Sequence, residues 1–449
     1  MVRTVLIRCL LLFGIPASAQ TALDGYIAEG LENNLVIQQK TISLEKSMYA
    51  LKIANSLFMP SINAQANYTS GEGGRSIDLP IGDLMNPVYS TLNQLTSSNS
   101  FPQISNQQIT FFPQNFYDAK IHTTVPIVNT DLFYNRQITE QQQAIQNDEL
   151  DIYKRELIRN IRVAYFNYLS AESAIHIYEQ SLTLAQEGKR VNESLLANGK
   201  GLPAYLIRSD AEIEKLNAQI TGAQLQAQNA QLYFNFLLNR DGNMNIDTTY
   251  DERAGIAKAA AMAGVSSVDV SAREELRMMN HAIGINQTML RMNKNFWVPR
   301  LGAFLDLGSQ ESNWAFNSQS RYYLVGLQLD FPLFNGFRNR YRIEQSRFDL
   351  RYNQAGLQLL TRQLELSASI SRNAIQSAYA AYRSAEKQNQ AAITYRQLIE
   401  KGYQEGTGTF LETVEARSQQ TQAQLALSIA RYKVLTELAN YDRETGAGF

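Results

Sequence analysis

The chain has 449 residues, 44% of them hydrophobic and 18% charged, with a formal net charge of -1. That balance excludes a disordered chain and a strongly basic nucleic-acid surface. Past the N-terminus no uninterrupted apolar run approaches the ~18 residues of a membrane helix, which leaves a soluble protein, a coiled coil or an outer-membrane barrel.

Residues 1–19 read as a secretory signal peptide. Arg3 and Arg8 supply the positive start, Val5 to Ile15 the apolar stretch, and Ala17-Ser18-Ala19 an A-x-A-like cleavage site. Cys9, the single cysteine, lies inside it, so the mature chain is expected to have no disulfide and no cysteine metal site. Polarity rests heavily on uncharged amides, with 38 Gln and 35 Asn.

The rest divides into two tandem repeats, 20–240 and 266–449, joined by a linker over 241–265. Phe58-Met59-Pro60 returns as Trp297-Val298-Pro299, Val125-Pro126 as Phe331-Pro332, and Asn198-Gly199-Lys200-Gly201 as Glu405-Gly406-Thr407-Gly408. In the first repeat, Ala22 to Leu57 reads as a helix. Period-two alternation then predicts strands at about 61–69 and 118–126, around a long loop at 70–117. Leu132 to Leu196 lacks proline and reads as one long helix. The second repeat predicts a helix over Ser266–Phe296, strands at about 300–308 and 322–331, and long helices at 340–401 and 409–441. Pro60, Pro126, Pro299 and Pro332 are expected at the four helix–strand junctions, where proline stops a helix and favours extended backbone before it.

Four strands with one apolar and one polar face suit a barrel wall between lipid and water, but four cannot close a barrel. Chains would then share one, because open edges are not tolerated in lipid. A soluble four-stranded sheet packed on helices has the same local pattern. Small residues such as Ala374, Ala378, Ala381 and Ala385 allow close helix approach, in a hollow wall or in an ordinary coiled coil.

The stretch Gly402-Tyr403-Gln404-Glu405-Gly406-Thr407-Gly408-Thr409-Phe410-Leu411-Glu412-Thr413-Val414-Glu415-Ala416 resembles the helix-turn-helix tip of TolC-like outer-membrane efflux proteins. The two repeats, paired strands and long helices resemble that family across nearly the whole mature chain. The resemblance implies a mainly α fold with a β-barrel part. It implies a homotrimer with a 12-stranded outer-membrane β-barrel, four strands per chain, continued by a long periplasmic α-helical barrel. It also implies a passive exit duct of a tripartite efflux or type I secretion system, working with a periplasmic adaptor protein and an inner-membrane pump of RND or ABC type. The residues so implicated in the periplasmic gate are Tyr403, Glu412 and Glu415, with tip turns at Gly199, Gly201, Gly406 and Gly408. Gly408 departs from the family pattern, which has a basic residue there. Arg208, opposite Glu415 in the repeat, is expected to contribute to closure instead. A secreted or periplasmic long-helix scaffold with a small sheet is the alternative.

His122, His176 and His281 are dispersed, without ligand spacing, and no P-loop, GxSxG or dinucleotide fingerprint occurs. No enzyme, cofactor, metal or nucleic-acid partner is expected.

Overall fold

The computed structural model describes residues 22–264 and 268–446. The expected signal peptide lies outside the described residues, as does part of the expected linker. In chain order the elements are α1 (Ala22–Asn33), α2 (Leu35–Ser56), β1 (Ser61–Thr69), β2 (Ser76–Leu79), α3 (Ile81–Thr96), β3 (Gln107–Thr110), β4 (Phe116–Val128), α4 (Thr130–Ala197), α5 (Pro203–Leu237), α6 (Glu252–Ala263), α7 (Glu274–Lys294), β5 (Arg300–Ser312), β6 (Arg321–Asp330), α8 (Arg338–Gln404) and α9 (Phe410–Thr445). Contacts divide them into two units, and α2, α4, α7 and α8 contribute to both.

One unit, residues 1–48, 141–284 and 350–449, is helical. Its main core gathers Leu157, Ile161, Tyr165 and Phe166 of α4, Phe234 of α5, and Tyr432 and Leu435 of α9. Gly30 of α1 lies against this core so closely that a Cβ there would meet Ile161 Cδ1 at 2.4 Å. The expected single helix from Ala22 to Leu57 breaks at Asn34. The buried Asn34 amide donates to Leu237 O at 2.9 Å, and its Oδ1 accepts the N–H groups of Val36 and Ile37. It therefore caps α2 from within the chain. The expected linker also holds structure: Asp251 caps α6, whose Ala259 packs with Ile375, Val434 and Leu438. The expected Ser266–Phe296 helix spans only Glu274–Lys294; the described residues before it, 268–273, turn instead, with Asp269 Oδ1 accepting the Ser271 N–H at 2.8 Å.

Buried charge is matched by opposite charge. Arg155 Nε donates to Glu274 Oε2 at 2.9 Å, and both side chains are buried. Arg273, with no exposed surface, is held by Glu275 and Glu444.

The other unit, residues 49–140 and 285–349, centres on an antiparallel sheet in the order β1-β4-β5-β6. Its register puts Ile62, Thr123, Leu305 and Val325 in one row, and Ala64, Ile121, Leu307 and Tyr323 in the next on the same face. The opposite face carries the row Asn63, His122, Asp306, Leu324 and the row Gln65, Lys120, Gly308, Tyr322. There the buried Asp306 accepts from Lys120 at 3.0 Å and pairs with His122, while Tyr322 donates to Asp118 at 2.7 Å. At one end of the sheet Trp314 stacks between Tyr68 and Tyr117, at 5.4 and 5.6 Å.

Pro60 and Pro299 immediately precede β1 and β5, and Pro332 follows β6. Pro126 departs from expectation. It lies inside β4, a central strand, at a register irregularity between Pro126 and Val128. A bulge is where a central strand tolerates a missing N–H.

The expected loop at 70–117 is itself folded: β2 and β3 pair antiparallel on either side of α3, which contains Pro87. Asn86 exchanges two hydrogen bonds with the backbone of Ile104, and Asn93 two with that of Phe101. These amides replace a strand partner, an ordering that apolar periodicity does not reveal.

Removing Glu274 strands a buried guanidinium, so Glu274→Ala is expected to cost about 3–5 kcal/mol, read from denaturant unfolding. Burial pushes the Glu274 carboxyl up, but Arg155 and backbone hydrogen bonds outweigh it and hold the group below its ordinary value of 4.5. The contribution is therefore present above that value and is lost as pH falls through the lower, folded one. The gap between wild type and variant should narrow in acid; a gap independent of pH contradicts the assignment.

Candidate functional site

The helical unit ends in two tight bends, α4 to α5 and α8 to α9. Both are built alike. Lys200 N–H bonds Leu195 O at 2.8 Å and Gly199 N–H bonds Leu196 O at 3.0 Å. Thr407 N–H bonds Gly402 O at 2.9 Å and Gly406 N–H bonds Tyr403 O at 3.1 Å. This is the Schellman closure, and its left-handed position falls on Gly199 (φ +74°) and Gly406 (φ +79°). Gly201 and Gly408 serve by close approach. A Cβ on Gly201 would meet Leu196 N at 2.7 Å, and one on Gly408 would meet Tyr403 N at 3.1 Å.

The helices that leave the bends start differently. Pro203 opens α5 with no side-chain cap. Thr409 caps α9 through a capping box: its hydroxyl accepts Glu412 N–H, and Glu412 Oε2 accepts Thr409 N–H at 2.7 Å. These hydrogen bonds hold the Glu412 carboxyl below its ordinary range. Glu412 thus has a local structural role as well as a charge.

Tyr403 donates to Asn192 Oδ1 at 2.8 Å, and Asn192 Nδ2 donates to Ser209 Oγ at 3.3 Å. Both Asn192 and Ser209 are buried. Burial, with Tyr205 nearby, pushes the Tyr403 phenol up, so it remains a neutral donor. Phe410 fills the space beside Tyr205 and Tyr403, with ring centroids at 5.0 and 6.2 Å. Residues of α4, α5, α8 and α9 are thereby tied in one network.

Arg208 and Glu415 are both exposed, and among the described residues no ion pair joins them within the chain. The ion pair that does join α5 and α9 is Arg417 with Glu212, at 2.8 Å. Both partners are largely buried. The guanidinium lies over Gly188 of α4, where a Cβ would stand 2.8 Å from Arg417 Nη1. A glycine inside a helix costs about 1 kcal/mol against alanine, and Gly188, alone in the 68-residue α4, gives Arg417 room to reach Glu212. Sequence reasoning missed Asn192, Ser209, Glu212 and Arg417. The isolated glycine was the available signal.

Residues 26–240 and 270–447 match the family described as outer membrane efflux protein. The chain belongs to the outer membrane efflux protein family. Its fold is similar to that of other solved members of this architecture. The outer membrane protein VceC of Vibrio cholerae gives a TM-score of 0.73 at 13% identity, covering 95% of this chain and 96% of that one. The open state of the Neisseria gonorrhoeae MtrE outer membrane channel gives 0.73 at 15% identity, over 95% and 89%. CusC gives 0.76 at 14%, over 95% and 92%. The alkaline protease secretion protein AprF of Pseudomonas aeruginosa is 21% identical over 248 residues, 52% of each chain. The match thus spans about half the length of that relative.

Within this efflux protein, Gly199→Ala and Gly406→Ala should each cost about 1–2 kcal/mol, the penalty for a side chain in left-handed backbone. Hydrogen exchange at the bend amides is expected to accelerate by about tenfold or more. Gly25→Ala, in open space on a regular helix, is the control and should not slow or speed it.

Proposed function

We propose that the chain is the outer-membrane exit channel of an export assembly, with three copies sharing one barrel. The observation that carries this reading is the four-stranded sheet, apolar across one face and open at both edges. Among the described residues β1 and β6 each pair on one side only. In lipid each unpaired backbone group costs several kcal/mol, so the sheet needs neighbours on both sides. Joining β6 of one copy to β1 of the next closes twelve strands under threefold symmetry, within the range of membrane barrels.

The helices joined in sequence to these edge strands support it. The α2 helix, which leads into β1, exposes Leu35, Ile42, Tyr49 and Ile53. The α8 helix, which follows β6, exposes Tyr341, Tyr352, Leu359, Leu366 and Ile370. With Phe348 of α8, also exposed, both stripes advance in steps of seven and four residues, the seam of a coiled coil, and a soluble monomer rarely leaves such a stripe bare. Copies that pair their strand edges would cover these stripes with each other.

In this reading the helical bends form the periplasmic gate. The Tyr403–Asn192–Ser209 hydrogen bonds and the Arg417–Glu212 ion pair hold the two repeats' bends together. Glu412 and Glu415 become rings of carboxylates under threefold symmetry, which favour cations. Arg208 and Glu415, exposed and not paired with each other, are available for contacts between copies. Gly199, Gly201, Gly406 and Gly408 set the bends that a periplasmic adaptor and an inner-membrane pump engage. The pump supplies the energy and selects the cargo, which AprF's name places in protein secretion for that relative.

Purified protein should require detergent, run as a trimer and conduct ions poorly in a planar bilayer. Arg417→Gln should raise the conductance several-fold by releasing α9 from α5; a detergent-free monomer without conductance overturns the channel reading. In channels opened this way, Glu412→Gln with Glu415→Gln should lower the cation preference measured from reversal potentials in a salt gradient. An unchanged reversal potential would remove both glutamates from the pore.

A further inference from the structure

At the end of the sheet where the strands meet helices, the sheet unit holds a cavity of about 480 Å³. It is walled by the starts of α4, β5 and α8 and the ends of α7 and β6. Its charged side chains are Arg300, Arg338, Arg342, Asp131 and Asp330. Arg300 is neutralised by an ion pair with Asp131. Arg338 and Arg342 stand four residues apart, on one face of the first turns of α8. Among the described residues neither has a carboxylate partner, and Asp330 alone opposes them. The cavity therefore keeps an excess of positive charge, close to the positive end of the α8 dipole. The amides of Asn335 and Asn339 add hydrogen-bond donors to the same wall.

Two guanidinium groups with adjacent amide donors suit a tetrahedral oxyanion, which they bind through paired, charge-assisted hydrogen bonds. The depth of the site bears on the source of that anion. Exposed Trp297, Phe331 and Phe334 mark the same end of the sheet, and such aromatics settle at the level of lipid headgroups.

We propose that this cavity binds a phosphate group, carried by the headgroup of an anionic lipid or free in the periplasm. Arg338 and Arg342 hold the phosphate oxygens. The lipid source rests on the outer-membrane reading; the phosphate site itself does not.

The test uses the detergent-purified full chain, titrated calorimetrically with dihexanoylphosphatidylglycerol and, separately, with inorganic phosphate. Wild type should bind at least one of them, and Arg338→Gln with Arg342→Gln should weaken binding by about tenfold or more. Both arginines are exposed and, among the described residues, make no ion pair, so the double variant should assemble normally. Arg340→Gln, on the same helix but outside the cavity, should bind as wild type does. Preference for the lipid over phosphate supports the site and identifies a headgroup. Equal binding, or phosphate alone, supports the site with a soluble anion as its ligand and leaves the channel reading to the conductance test. Binding of neither probe, or undiminished binding by the double variant, overturns the proposal.

Discussion

Every peptide N–H and C=O of a strand demands a hydrogen bond, and that demand organises this chain more than any single side-chain contact. Within the sheet it is met by a regular antiparallel register from β1 through β6. Among the described residues the outer edges of β1 and β6 have no strand neighbour, and under the proposed reading further copies supply it. The apolar stripes of α2 and α8 belong to the same arrangement, since they lie on the helices continuous with the edge strands.

The abundant amides take on a definite role. A carboxamide carries both a donor and an acceptor, so it can stand in for a missing peptide neighbour. Asn34 does this where α1 gives way to α2, and Asn86 and Asn93 do it along α3. Asn192 does it among side chains at the bends, between Tyr403 and Ser209. Such groups fix geometry without a buried charge. Where charge is buried, as at Arg155–Glu274 and Arg417–Glu212, it comes in pairs that join segments far apart in sequence. Those pairs hold one particular helix register and would punish a slip.

The parts legible in the sequence are those governed by local periodicity. The alternation from Ile62 to Tyr68 and from Leu301 to Gly308 is visible because each residue's face depends only on its neighbours. The bends were legible because glycine at 199 and 406 answers a backbone need that few other residues meet. Pro126 misled, since proline signals an end of helix or strand and its place in a bulge depends on the partner strand. The fold of residues 70–117 was hidden for a similar reason: its order comes from amide bonds between segments, not from an apolar pattern. At the bends, repeat arithmetic put Arg208 opposite Glu415. The pair within the chain is Arg417 with Glu212, which depends on how α4 leaves space at Gly188.

The unequal starts of α5 and α9 carry one more consequence. The two bends share a backbone trace, yet α9 begins with a carboxylate over its first turn and α5 begins with a bare proline and Lys200 nearby. In a threefold assembly six bends would alternate around the rim, electronegative and electropositive in turn. A protein docking on that rim would meet a surface with threefold electrical order laid over nearly sixfold shape. Shape alone would allow two rotational settings; charge would select one of them.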